Sequence, residues 1–118
     1  MKAISLLVVH CSATPANRDI GVAEIRAMHK RQGWRDVGYH YVIRRDGTVE
    51  KGRADTTIGA HVSGHNNGSL GICLVGGVKP DLSAETNFTP AQYQALEQLL
   101  VTLHGRYPVS YTHLRAHE

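Results

Sequence analysis

Two apolar stretches decide the fold, Ile4-Ser5-Leu6-Leu7-Val8-Val9 and Leu70-Gly71-Ile72-Cys73-Leu74-Val75. Neither stretch alternates apolar with polar residues, as a strand with one face in water would. Each is therefore predicted to be a strand that is covered on both faces. The first ends at His10, and the second ends at Gly76-Gly77.

The sequence predicts one helix after each of the two apolar stretches. The first runs from about Val22 to Gln32, and Gly33 is well placed to end it. The second begins at Thr89, with Pro90 in the first turn and a glutamine three residues after the cap, which is a capping-box pattern. Its predicted inner stripe is spaced by three and four residues and consists of Tyr93, Leu96, Leu100, Leu103 and Tyr107.

A hairpin is predicted between the two apolar strands. Residues Tyr39–Arg44 and Thr48–Lys51 flank Arg45-Asp46-Gly47, and Asp-Gly between β-prone runs is a strong hairpin signal. The order is then strand, helix, hairpin, strand, helix. This order predicts an α/β fold with a single domain and a mixed central β-sheet flanked by α-helices.

Composition excludes several classes of protein. The 118 residues are 42% hydrophobic and 19% charged, with a net charge of +3, which is typical of one globular domain. Basic residues are scattered without interleaved aromatics, so we expect no nucleic-acid partner. The apolar start is short, and no small-residue cleavage site follows it. We therefore expect cytoplasmic synthesis without a signal peptide and no membrane association.

Histidine is the unusual component, with eight residues in the chain. His10 ends a buried strand, a position suited to a metal ligand, although a hydrogen-bonded structural histidine is the alternative. His29 and His104 are predicted to lie on the surface. His113 and His117 are four apart and could share a metal if the tail were helical. A Cys11–His10 nucleophile pair is disfavoured, because neighbours in a strand point to opposite faces.

Four ordered blocks cover most of the chain between residues 4 and 107. They are Val8–Thr14, then Gly33–Tyr41 with Arg45–Glu50, then Gly59–His61 with Gly64–Asn66, Ser69–Ile72 and Leu74–Gly77, and finally Asn87–Gln92. Together these blocks resemble the type-2 N-acetylmuramoyl-L-alanine amidases, a family that includes phage amidase-type lysozymes and is related to peptidoglycan-recognition proteins.

The resemblance implies an enzyme that uses Zn²⁺ to cut the amide bond between N-acetylmuramic acid and L-alanine in peptidoglycan. It makes His10 the first zinc ligand and Tyr39 the catalytic tyrosine, whose hydroxyl can stabilise an oxyanion. It assigns His61 and Asn66 to substrate contact. His40 should face away from Tyr39, and we expect it to be structural.

The sequence departs from the family pattern at its end. Leu114-Arg115-Ala116-His117 resembles the approach to the second ligand, which implies a metal-ligand role for His117. The rest of the segment does not resemble the family, so an accidental match at His117 is the alternative. Residues 1–108 are expected to form a catalytic domain that is incomplete at its C-terminus, and residues 109–118 an atypical tail. A third zinc ligand and a catalytic lysine are not found, so weak zinc binding and poor hydrolysis are expected.

The expected partner is peptidoglycan, bound as a muramyl peptide by a monomer. A phage or prophage endolysin that acts on the cell wall after its release is the favoured interpretation. Two alternatives use the same fold: a module that binds peptidoglycan without cutting it, and a zinc hydrolase that acts on another substrate.

Overall fold

A computed structural model describes residues 3–62, 64–109 and 111–114. Within them the chain forms seven strands and two α-helices. Their bounds are β1 (Leu6–Cys11), β2 (Thr14–Pro15), α1 (Val22–Arg31), β3 (Tyr41–Ile43), β4 (Val49–Lys51), β5 (Ser69–Leu74), β6 (Gly77–Val78), α2 (Pro90–Arg106) and β7 (Tyr111–Leu114).

The main sheet has five strands in the order β4-β3-β5-β1-β7. All neighbours run parallel except β3 and β4, which form the predicted hairpin. The two apolar stretches of the sequence become the adjacent strands β1 and β5, with His10 opposite Cys73. A second, two-stranded sheet pairs β2 with β6. The predicted mixed α/β fold is therefore confirmed.

Helix α1 begins and ends close to the predicted residues. The Glu24 carboxylate accepts a hydrogen bond from the backbone N–H of Gly21, the N-cap, at 2.8 Å. Glu50 of β4 accepts from the Val22 N–H at 2.8 Å, which satisfies another donor of the first turn. The helix ends before Gly33, whose φ of +91° is the left-handed conformation that glycine adopts most readily.

Helix α2 confirms the predicted cap and corrects one residue of the stripe. Thr89 accepts from the Gln92 N–H and Gln92 bonds back to the Thr89 N–H, at 3.1 and 3.0 Å. Leu103 is fully buried, but Tyr93 is 45% exposed. In that turn Gln92 points inward instead. Its side-chain amide donates hydrogen bonds to the carbonyl oxygen of Ile43, the last residue of β3, and to that of Val75, the residue after β5.

Two apolar clusters lie on opposite faces of the main sheet. Their members alternate along the strands, as the pleat requires. The cluster under α2 contains Ile4, Leu7, Val9, Tyr41, Ile43, Leu70, Ile72, Leu74 and Leu103. The cluster under α1 contains Ile20, Val22, Ile25, Val37, Tyr39, Val42, Cys73 and Val75. Val8 and His10 thus face α1, since Leu7 and Val9 face α2.

A polar cluster around Asp55 fixes the C-terminal end of α2. The carboxylate accepts hydrogen bonds from the hydroxyls of Tyr41, at 2.8 Å, and Tyr107, at 2.6 Å. Lys51 also bonds to it, and Arg106 lies 3.6 Å away. Burial alone would raise the pKa of Asp55, but the bonds from Lys51, Tyr107 and Tyr41 outweigh burial and lower that pKa.

The end of the described chain adds the fifth strand. Residues Leu6–Val9 of β1 pair with Tyr111–Leu114 of β7, beyond the boundary predicted after residue 108. This segment is extended and not helical, so His113 does not lie on a helix. His117 lies outside the described residues. Among the described helices, none combines the length and apolar character that crossing a membrane requires.

Candidate active site

His10 lies near the carboxyl end of β1, on the face of the sheet that α1 covers. Its side chain is 1% exposed. Its Nε2 atom lies 2.8 Å from Nδ1 of His61, and the two rings meet edge to face. A buried ring held by a second imidazole has its orientation fixed before any ligand arrives.

Tyr39 lies beside His10, just before β3. The two ring centroids are 5.3 Å apart, and Tyr39 is 6% exposed. The tyrosine also lies close to the Cys73 thiol on β5, whose pKa is raised chiefly by burial. The structure therefore brings together the two residues that the resemblance placed at the reaction centre.

His29 differs from its prediction as a surface residue. It is half-buried, and its Nδ1 accepts a hydrogen bond from the Gly38 N–H at 2.8 Å. Its ring lies 5.6 Å from Tyr39 and 4.5 Å from Trp34. Burial, with a smaller contribution from Arg53, lowers the pKa of His29 and favours its neutral form. The reason for the difference is that α1 turns this residue towards the loop preceding β3.

His61 is 6% exposed and faces the protein interior. Besides His10, its ring contacts Ser69, whose hydroxyl oxygen is 3.1 Å from His61 Nε2. Asn66 holds the same loop, because its side-chain oxygen accepts from the N–H groups of His61 and Val62, both at 2.9 Å. The contacts that the structure shows for His61 and Asn66 are internal, and their role in substrate contact stays a prediction.

His40 has the expected structural role. Its ring is fully buried, with Nδ1 accepting from the Gly71 N–H at 3.0 Å and Nε2 donating to the Thr57 carbonyl at 2.7 Å. Burial lowers the pKa of His40, and the bond to Thr57 opposes this in part. Both ring nitrogens are thus hydrogen-bonded to the backbone, Nδ1 to β5 and Nε2 to the loop after β4.

Of the two zinc ligands that the resemblance implies, His10 lies within the described residues, and its role as a ligand stays a prediction. Over residues 3–62, 64–109 and 111–114, no group of three or more His, Cys, Asp or Glu residues is arranged to hold a metal ion. The donor chemistry at His10 fits zinc, since a neutral, oriented imidazole is a common zinc ligand. The predicted partner ligand His117 lies outside this part of the chain.

Ser69 was not singled out in the sequence, although it contacts the site. Its hydroxyl bonds to His61 and to the carbonyl oxygens of His65 and Asn66. A weak signal existed, because Gly71 interrupts an apolar strand two residues later. Glycine inside a strand often marks a close approach by another group.

Comparison with known proteins gives concordant results. The family model described as N-acetylmuramoyl-L-alanine amidase matches residues 1–118. The endolysin of Klebsiella phage KP32 is 59% identical over 103 residues, which are 87% of this chain and 68% of that protein. The endolysin of Escherichia phage T7 is 53% identical over 111 residues, 94% of this chain and 72% of that protein.

Solved structures show the same fold. The endolysin N-acetylmuramoyl-L-alanine amidase LysCS from Clostridium intestinale superposes with a TM-score of 0.82 at 30% identity, over 94% of this chain and 68% of that one. Drosophila PGRP-LB superposes with a TM-score of 0.78 at 25% identity, over 97% and 69% of the two chains. This chain therefore belongs to the N-acetylmuramoyl-L-alanine amidase family, as the ordered sequence blocks predicted.

Proposed function

We propose that this chain cuts the amide bond between the lactyl group of N-acetylmuramic acid and the L-alanine of the peptidoglycan stem peptide, with the help of Zn²⁺. Membership of the amidase family supports an amidase that acts on peptidoglycan. The observation that carries the finer proposal is the pair formed by His10 and Tyr39, two buried rings 5.3 Å apart at the carboxyl end of β1.

The chemistry explains why these residue types are needed. Hydrolysis of an amide at neutral pH requires an activated water molecule and stabilisation of the negative charge that develops on the carbonyl oxygen. A bound zinc ion supplies both, since it lowers the pKa of its water to about 7 and polarises the carbonyl. In our proposal His10 binds the metal, and the Tyr39 hydroxyl donates a hydrogen bond to the developing oxyanion.

The remaining parts of the proposal concern residues away from this pair. His117 is proposed as a second zinc ligand. Asn66, which is half-exposed at the loop beside the site, is proposed to contact the substrate. The endolysin relatives support a role in cell-wall lysis after the protein is released. We further propose that the chain acts as a monomer on one muramyl peptide at a time.

The experiment that tests this function is digestion of purified sacculi by the 118-residue chain. The expected products carry a new amino group on L-alanine, identified by end-group labelling and mass spectrometry. Chelation should abolish their release and added zinc should restore it. New reducing sugar ends in place of alanine amino groups would contradict the proposed bond.

A non-catalytic binding module is the competing function. It predicts that sacculi retain the protein in a pull-down assay but yield no new alanine amino groups, with or without zinc. The His10→Ala variant is the matched control, because it should keep the fold and any binding while losing hydrolysis. Equal product release by His10→Ala and the native chain would exclude a metal role for His10.

A further inference from the structure

The His61 ring lies in a space that two glycines leave open. A Cβ atom at Gly71, in the middle of β5, would lie 2.5 Å from Cγ of His61. A Cβ atom at Gly59 would lie 2.6 Å from Cδ2 of the same ring. Real Cβ atoms do not approach so closely, so both positions require glycine for His61 to sit where it does. Glycine in a strand interior weakens the strand, which makes its presence at Gly71 informative.

Ser69 determines which nitrogen of His61 carries the proton. Its hydroxyl oxygen lies 2.7 Å from the His65 carbonyl oxygen and 3.1 Å from that of Asn66. Carbonyl oxygens only accept hydrogen bonds, so the single hydroxyl proton of Ser69 must point to them. Otherwise, two carbonyl oxygens would face a hydroxyl lone pair at short range. The Ser69 oxygen is thus an acceptor for His61 Nε2, at 3.1 Å.

The same reasoning continues to the next ring. A neutral histidine with its proton on Nε2 presents a lone pair at Nδ1. His61 Nδ1 lies 2.8 Å from His10 Nε2, which must therefore be the donor of that bond. The proton of neutral His10 is then on Nε2, and Nδ1 of His10 carries the lone pair.

We propose that His61 and Ser69 are positioning residues that hold His10 in its Nε2-protonated tautomer, with Nδ1 as the nitrogen that would bind a metal ion. The order of donation is His10 to His61, His61 to Ser69, and Ser69 to the loop carbonyls. This inference rests on the proposed function only where it assigns the purpose of the tautomer. The tautomer itself follows from contacts among residues of the protein.

The proposal gives His61 a role different from substrate contact. A metal-ligating histidine usually needs a partner on its second nitrogen, which fixes the ring and its tautomer. Here that partner is another imidazole, which is itself fixed by a serine on β5. Loss of such a partner typically lowers metal affinity about 10- to 100-fold.

The test is nitrogen NMR of the metal-free chain labelled at histidine, at mildly alkaline pH where imidazole is neutral. We expect one tautomer at each ring, with the proton on Nε2 of both His10 and His61. Ser69→Ala should produce mixed tautomers at both rings. Thr14→Val is the control, because it removes another buried hydroxyl that bonds to Ser12 and not to His61. A proton on Nδ1 of His10, or unchanged tautomers in Ser69→Ala, would overturn the proposal.

Variants of His61 provide a second test that does not depend on Ser69. His61→Asn keeps an acceptor near the place of Nδ1 and should preserve the His10 tautomer, whereas His61→Leu should not. If His61→Leu does not fold, the native spectrum and His61→Asn still decide the matter. Zinc affinity should fall about 10-fold or more in Ser69→Ala and remain unchanged in Thr14→Val. A native chain with the expected tautomer but no zinc binding would contradict the proposed function and support the positioning role.

Discussion

The two faces of the main sheet are built from the same strands but differ in chemistry. The face under α2 carries aliphatic side chains at successive inward positions, such as Leu7, Leu70 and Ile72, all of them fully buried. The face under α1 carries His10 and Tyr39 among its apolar residues, and His40 and His61 lie beside them. Helix α2 thus covers an apolar core, and α1 covers a layer that includes polar rings.

Because of this difference, we expect the face under α2 to contribute mainly to stability and the face under α1 to carry the catalytic residues. Apolar contacts stabilise in proportion to the area they bury and do not depend on direction. Buried imidazoles need hydrogen-bond partners or metal ligation at fixed positions, so their stabilisation depends on geometry. Substitutions under α2 should therefore change the free energy of unfolding, whereas substitutions around His10 should change activity more than stability.

The largest effect is expected for His10→Ala. Removal of the proposed ligand should lower sacculus hydrolysis by more than the roughly 10- to 100-fold loss typical of an outer partner. Far-UV circular dichroism should remain native, because the strand keeps its backbone pairing with β5 and β7. Hydrolysis by His10→Ala within a few-fold of the native rate would contradict the assignment of the chemistry to the face under α1.

A large stability effect is expected for Leu70→Ala on the α2 face. Truncation of this fully buried side chain should lower the free energy of unfolding by about 2–5 kcal/mol, as lost burial and a residual cavity add. Urea denaturation measures the change. Specific activity of the folded fraction should stay near the native value, and a strong loss of activity in folded protein would show that the two faces are coupled.

Tyr39→Phe should lower activity without lowering stability. Loss of the proposed oxyanion donor should lower kcat about 10²- to 10³-fold. KM and the denaturation midpoint should change little, because the ring and its packing against His10 remain. The matched control is Tyr41→Phe, which removes a hydroxyl that bonds to Asp55 on the other face. Equal losses of kcat in the two variants would argue against a special role for Tyr39.

The smallest effect is expected for Asp55→Asn, at the polar cluster that fixes α2. The folded-state pKa of Asp55 is lowered, so its ionised carboxylate stabilises the folded protein fully at neutral pH. This stabilisation is lost as the pH falls below the ordinary value near 4 and through the folded-state pKa. The variant should lose about 1–2 kcal/mol at neutral pH. The stability difference from native protein should shrink on acidification, whereas a constant difference would show that the charge is not involved.

Much of the fold could be predicted from the sequence, because its main elements carry local signals. The unalternating apolar runs gave β1 and β5, and Thr89 with Gln92 gave the start of α2. The short strands β2, β6 and β7 were missed, since two to four residues that pair only at long range leave no periodic pattern. The prediction that Tyr93 faces the core was wrong. Gln92 faces inward instead, because it bonds to carbonyl groups at the strand ends, and the spacing of apolar residues does not reveal such bonds.

The site could be predicted in part, and for a different reason. His10 and Tyr39 were found through resemblance to the family, and the structure brings them together. The half-buried state of His29 and the contact of Ser69 with His61 were missed. Both depend on where a loop returns to the sheet, and local sequence does not contain that information. The roles of His61 and Asn66 in substrate contact stay predictions.

The pairing of β1 with β5 and β7 has a consequence for synthesis of the protein. His10 precedes its partners along the chain, because its contact with His61 and the strand partners of β1 involve residues that a ribosome adds later. Such non-local pairing is slow and cannot begin until the partner strands have been made. A nascent chain that has not yet reached His61 and β5 therefore holds His10 without the groups that orient its ring.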